Sequence, residues 1–224
     1  MAVIFDVVGT LFSLERVEKE FQRRGLPPEL FGLWFARLQM TSMAASLAGG
    51  YFPFRETAEA ALRQLLAARE LPESEAAPVL AAMGQLAPWP DAGRCLSALR
   101  ESGHRIFALT NSSSKEGTDL IVQSGLAEYF EAVFSADEVK TCKPHPAPYR
   151  MAVRRIGLPA AEISMVAAHG WDVLGAAAAG LQTIWVSRLE CRWPFPGRPP
   201  GSAALDLAGV PDLLTAQPAT VEGR

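Results

Sequence analysis

Four short stretches of this sequence carry side chains that can do chemistry together. Asp6 follows the apolar run Ala2-Val-Ile-Phe5, and Thr10 comes four residues later. Thr110-Asn111-Ser112, Lys143-Pro144 and His169-Gly-Trp171-Asp172 lie far along the chain. A partly desolvated carboxylate can attack an electrophile and form a covalent intermediate. A hydroxyl and an amide can orient that carboxylate and its substrate. A lysine can neutralise clustered negative charge. A second carboxylate can orient or deprotonate water. Taken alone, the Asp-x-x-Gly-Thr spacing of residues 6–10 better suits an aspartate that merely caps a turn; the other three stretches reverse that by giving it chemical company.

These groups converge only if the elements that carry them end at one edge. Residues 2–5 read as a strand buried on both faces. From residue 91 onward, helix and strand alternate: helices at 91–102, 115–123, 147–156 and 172–179, strands at 105–109, 132–134, 163–168 and 183–186. That alternation implies a parallel sheet with right-handed crossovers. The ends of such strands share one edge, where open α/β sheets bind their ligands. Residues 14–88 have another character. Apolar residues recur at helical spacing in four segments, near 14–25, 29–47, 54–69 and 73–85, and no strand pattern appears. Residues 187–202 read as a Pro/Gly loop, 205–214 as a last helix, and 216–224 as a loose tail.

The chain has 224 residues, 49% of them hydrophobic, enough for one large domain or a core with an insertion. A net charge of -3 gives no footprint for nucleic acid or an anionic membrane. No apolar run approaches the roughly 20 residues of a membrane helix. The three cysteines fall at unrelated spacings and form no disulfide framework or metal pattern, which fits a reducing cytoplasm. The N-terminus lacks a signal-peptide pattern, since Asp6 interrupts its apolar run.

Phe5-Asp-Val-Val-Gly-Thr-Leu11, Leu109-Thr-Asn-Ser112, Lys143-Pro-His-Pro146 and Val166-Ala-Ala-His-Gly-Trp-Asp172 together resemble the four motifs of the haloacid dehalogenase superfamily. The resemblance implies an α/β fold: a Rossmann-like three-layer core in 1–13 and 89–215, with an all-helical cap inserted at 14–88. Two departures separate the sequence from the phosphatases of that superfamily. Val8 stands where they carry a second aspartate that protonates the leaving alkoxide. Ala168 stands where they carry a magnesium-binding aspartate. The 2-haloacid dehalogenase branch departs in the same direction, because a halide needs no protonation and its substrate brings one carboxylate.

By that resemblance Asp6 is the nucleophile, Thr10 orients it, Lys143 counters its charge, and Asp172 positions the hydrolytic water, with His169 a candidate helper. Thr110 and Asn111 receive the substrate carboxylate or the halide, backbone amides near Val7 and Val8 hold a substrate oxygen, and Trp171 completes the fourth motif. The branch places an aromatic residue where Val8 stands. It also uses an arginine early in the second cap helix for the halide. Ungapped counting puts Phe35 near that position, and Arg37, the only basic residue in 29–47, becomes the candidate. Trp34, Phe35, Met40 and Met43 are candidates to line the pocket or to form the core of the cap. The resemblance implies a small-molecule substrate, no cofactor and a homodimer. A phosphatase reading would require magnesium, and a non-catalytic binding protein is the other alternative.

Overall fold

The computed structural model describes residues 1–215; the tail expected at 216–224 lies outside them. Strand β1 (Ala2–Asp6) is followed by four helices, α1 (Glu15–Arg23), α2 (Glu29–Leu47), α3 (Phe54–Ala67) and α4 (Ala76–Met83). The alternating part then runs α5 (Ala92–Glu101), β2 (Arg105–Thr110), α6 (Ser114–Gln123), β3 (Ala132–Ser135), α7 (Pro146–Ile156), β4 (Ile163–Ala167), α8 (Gly170–Ala178), β5 (Gln182–Val186), β6 (Ser202–Ala204) and α9 (Val210–Thr215). The sheet has the order β3-β2-β1-β4-β5-β6, and every neighbouring pair is parallel.

All five residues of β1 are buried. Side chains alternate across a strand, so Val3 and Phe5 join one core, with Leu96, Leu120 and Val210. Ala2 and Ile4 join the other, with Tyr149, Met151 and Val173. Helices therefore cover both faces, which is why β1 reads as an uninterrupted apolar run. Register sets the position of the chemistry: Asp6 lies opposite Leu109, and Phe5 lies opposite Val166. The carboxyl ends of β1, β2 and β4 consequently deliver Asp6, Thr110 and the loop before His169 to one edge.

The helices between β1 and α5 extend the core that holds Val3 and Phe5. Phe21, Leu30, Trp34, Leu38 and Leu62 are fully buried, and the Trp34 indole donates to the carbonyl of Ala58 at 2.9 Å. The connections into and out of this layer run side by side, with Ser13 N donating to Ala87 O and Trp89 N to Leu11 O, both at 2.9 Å.

Three elements differ from the sequence reading. β6 lies inside the stretch read as loop and then last helix. It has three residues, too few for a period to show. Residues 207–209 form a 3₁₀ turn and α9 begins only at Val210, so the last helix is shorter than 205–214. Residues 73–75 are likewise 3₁₀, and α4 starts at Ala76.

Candidate active site

Lys143 and two carboxylates form the centre of the site. Lys143 Nζ donates to Asp6 Oδ1 at 2.8 Å, to Asp172 Oδ2 at 2.6 Å and to the carbonyl of Leu109 at 2.9 Å. All three ammonium protons thus have acceptors, and the lysine is completely buried. Its backbone is fixed from the next strand: Lys143 N donates to Asn111 Oδ1 at 2.8 Å. Thr10 Oγ1 donates to Asp6 Oδ2 at 2.6 Å while accepting from Ala168 N at 2.9 Å. That pair of bonds joins the β1 turn to the end of β4. Tyr149, in the first turns of α7, donates to Asp172 Oδ1 at 2.6 Å.

Burial and charge set the ionisation. Burial opposes the charge on Asp6, but Lys143 and then His169 outweigh it and hold the carboxyl well below the usual carboxylate range. Burial pushes Asp172 upward; Lys143 pulls against it, and the charge of Asp6 adds to the rise. For Lys143, burial alone would favour the neutral amine, yet the two carboxylates raise its pKa above the ordinary lysine value. Burial and the carboxylate of Asp172 keep the Tyr149 phenol well above its normal range, hence protonated. Of the two carboxylates, Asp6 is the more readily ionised, as a nucleophile must be.

A cleft of about 270 Å³ opens over Asp6, bounded by Val8, Phe35, Gln39, Phe54, Thr110, Asn111, Ser112, His169 and Trp171. Of the residues singled out from the sequence, Asp6, Val8, Phe35, Thr110, Asn111, His169 and Trp171 bound this cleft. Thr10, Lys143 and Asp172 stand behind Asp6. Val7 is buried beside it, and its carbonyl accepts from Leu11 N and Phe12 N, both at 3.0 Å.

Arg37 is a correction. It does not bound the cleft, and its guanidinium donates to Gln64 at 2.9 Å on the exposed side of the helical layer. Successive helical residues turn by about 100°, so Arg37 points roughly 200° away from Phe35. Phe35 and Gln39, four apart, share the face that meets the cleft. Trp34 is cap core, and Met40 is exposed. Sequence reasoning missed Tyr149, Gln39 and Phe54, and it gave no role to Ser112 although Ser112 lies within the second motif; Tyr149 carries no spacing signal.

His169 is buried, and neither ring nitrogen has a hydrogen-bond partner. Its Nδ1 lies 3.4 Å from Asp6 Oδ2, near but not aligned for a bond. The ring stacks on Trp171, with centroids 5.2 Å apart, and meets Phe35 at 5.9 Å. Gly9, at φ +91°, leaves the space: a Cβ there would sit 2.6 Å from His169 Cε1.

The residues present do not suit magnesium. That ion is usually held by one or two carboxylates together with substrate phosphate oxygens. Here the Lys143 ammonium sits between Asp6 and Asp172, both Asp172 oxygens are engaged, and Ala168 offers no ligand. Among the described residues no three His, Cys, Asp or Glu side chains cluster as a metal site.

Residues 1–180 match the family model described as haloacid dehalogenase-like hydrolase. The haloacetate dehalogenase H-2 of Moraxella sp. (strain B) is 31% identical over 193 residues, covering 84% of this chain and 85% of its own. Among solved structures, the L-2-haloacid dehalogenase RSc1362 superposes with a TM-score of 0.91 at 32% identity, covering 96% of this chain and 98% of its own. The L-2-haloacid dehalogenase from Xanthobacter autotrophicus with chloropropionic acid covalently bound superposes at 0.87 with 27% identity, again covering 96% and 98%. With its parallel sheet, its helical layer and its Asp6–Lys143–Asp172 centre, the chain belongs to the haloacid dehalogenase-like hydrolases.

Proposed function

We propose that this hydrolase cleaves the carbon–halogen bond of a small 2-haloacid through an ester on Asp6, without a metal. The observation that carries the reading is an ionised, lysine-paired Asp6 in a small cleft with Val8 where an acid would be needed to protonate an alkoxide. In the first step Asp6 attacks C2 and the halide departs with the bonding pair. A halide is a weak base and needs no proton. The walls formed by Val8, Phe35, Phe54 and Trp171 suit a short carbon skeleton, and Thr110, Asn111, Ser112 and the amides of Val7 and Val8 stand where the substrate carboxylate would lie. Water then cleaves the ester and gives a 2-hydroxy acid. The covalent chloropropionic acid complex of the Xanthobacter relative supports the same chemistry.

The test is halide release from 2-chloropropionate, with an aryl phosphate as control, each with EDTA and with added magnesium. The expected result is halide release indifferent to both treatments and phosphate release at background. Asp6→Asn lowers halide release by at least about 10³-fold, because an amide is not a comparable nucleophile. Asp6→Asn activity within tenfold of wild type, or magnesium-dependent phosphate release without halide release, would sink the proposal.

A further inference from the structure

The geometry points to His169, and not Asp172, as the general base that hydrolyses the ester on Asp6; the inference rests on the dehalogenase reading above. A base must reach the cleft with a free lone pair. Asp172 does not reach the cleft, and both of its oxygens are already engaged. It is fully buried, and those oxygens accept from Lys143 Nζ and the Tyr149 hydroxyl, each at 2.6 Å. His169 bounds the cleft, and both of its nitrogens lack partners. An imidazole with no hydrogen-bond partner in a site this buried is anomalous unless a ligand or water completes it. Its ring is positioned by Trp171, Phe35 and the bare backbone of Gly9, so its nitrogens are not needed to hold it in place.

The two oxygens of Asp6 then take separate roles. Oδ2, 3.4 Å from His169 Nδ1, becomes the ester oxygen bonded to C2. Oδ1, 2.8 Å from Lys143 Nζ, remains the carbonyl oxygen. Water attacks Cγ, and His169 Nδ1 takes one of its protons. The negative charge that develops falls on Oδ1, against the lysine ammonium, which acts as the oxyanion donor. Collapse re-forms the C=O bond and breaks the bond between Cγ and the alkyl oxygen. That alkoxide takes the proton from the imidazolium and leaves as the hydroxyl of the 2-hydroxy acid. The new carboxyl oxygen comes from water, and its remaining proton is lost to solvent as Asp6 ionises again beside Lys143. Halide and one proton are therefore released per turnover. Asp172, with Tyr149, is a positioning residue that acts through Lys143.

The experiment combines quenched-flow halide release with intact-protein mass, using 2-chloropropionate and the full chain. His169→Ala and His169→Gln are compared with Asp172→Asn, and thermal melts confirm folding; glutamine fills the space if alanine leaves the site unstable. The expected result for both His169 variants is a burst of about one halide per chain, an ester adduct that persists, and steady-state turnover lowered about 10²-fold. Asp172→Asn slows the burst itself and accumulates no adduct. The assignment is overturned if neither His169 variant accumulates ester, if burst and steady state fall equally, or if the adduct builds up in Asp172→Asn instead. Wild-type protein that releases no halide at all would overturn the dehalogenase reading and this assignment with it, whereas the first three outcomes leave that reading standing.

Discussion

At the scale of single residues, Lys143, itself fully buried, neutralises two carboxylates, one buried with it and one at the floor of the cleft. Lys143→Met removes the charge and keeps most of the volume, leaving Asp6 and Asp172 buried without their cation. Breaking a buried pair from one side costs about 3–5 kcal/mol, and that loss is expected at neutral pH. The pH dependence has a defined sign. In the wild type the Asp6 pKa is depressed, so its contribution is present above the unfolded carboxylate value of about 3.9 and is lost as pH falls through the folded value. The Lys143 pKa is raised, so its contribution is complete below about 10.4 and is lost as pH rises through the folded value. Without the lysine, burial lifts both carboxyls, and acid protonates them at little cost. The stability deficit of Lys143→Met therefore shrinks from pH 8 to pH 5, as urea unfolding at each pH will measure. A deficit independent of pH would show that packing, not charge, is what the lysine supplies. Asp6 and Asp172 were legible in the sequence because each follows the end of an apolar strand segment, and Lys143 because of its Lys-Pro pair within the third motif. Tyr149 was not, since a tyrosine on an amphipathic helix looks like core until its hydroxyl is seen against Asp172. Arg37 was misjudged because its charge drew the assignment, while its angle on α2 sends it outward.

Elements hold these residues through a few close approaches, and one of them joins α8 to the loop that carries Lys143. Gly175 of α8 packs where a Cβ would lie 2.6 Å from Pro144 Cβ, 2.7 Å from the Tyr149 hydroxyl and 2.8 Å from the Pro144 carbonyl. In an exposed helix interior, glycine to alanine gains about 1 kcal/mol of helix propensity. Here the added methyl meets backbone and a hydrogen-bonded phenol, and overpacking of that kind costs about 1–3 kcal/mol. The contact outweighs the propensity. Gly175→Ala should lower the melting temperature and slow the halide burst, because Tyr149 and Pro144 cannot both hold their places. An unchanged or higher melting temperature would refute this account. The long elements were legible: α2 was read at the observed residues, and β1 and β2 within a residue. Where the reading failed, local physics was weak. β6 has three residues between a Pro/Gly loop and a 3₁₀ turn, and it is a strand only because β5 offers an unpaired edge.

Across the whole molecule, the helical layer must return to the sheet without loosening the turn that holds Asp6. Residues 88–91 make that return, and Arg188, from the loop after β5, secures it. Its guanidinium pairs with Asp91 and lies over the Trp89 ring, 4.4 Å from the centroid. Asp91 Oδ2 also accepts from Leu207 N at 3.0 Å, and the Trp89 indole donates to Gly9 O at 3.1 Å. Four distant segments thus meet at one ion pair, beside the glycine on which His169 rests. Burial works against the charge of Asp91, but Arg188 prevails and its pKa is lowered. Arg188→Ala leaves that carboxylate poorly solvated. The expected cost is about 2–3 kcal/mol, less than for a fully buried pair because both side chains keep some exposure. Since the Asp91 pKa is depressed, the pair contributes above about pH 3.9 and fades as acid protonates it. Adding Asp91→Asn to Arg188→Ala removes the stranded charge while leaving an oxygen for Leu207 N, so the double variant should regain part of the loss. The halide burst at 25 °C should stay within about threefold of wild type in both, because neither residue touches the cleft. Urea unfolding of the four proteins in the cycle gives the coupling energy. Additive losses would mean that the return segment is held by Trp89 and the backbone bonds alone, and that this ion pair does not join the helical layer to the sheet.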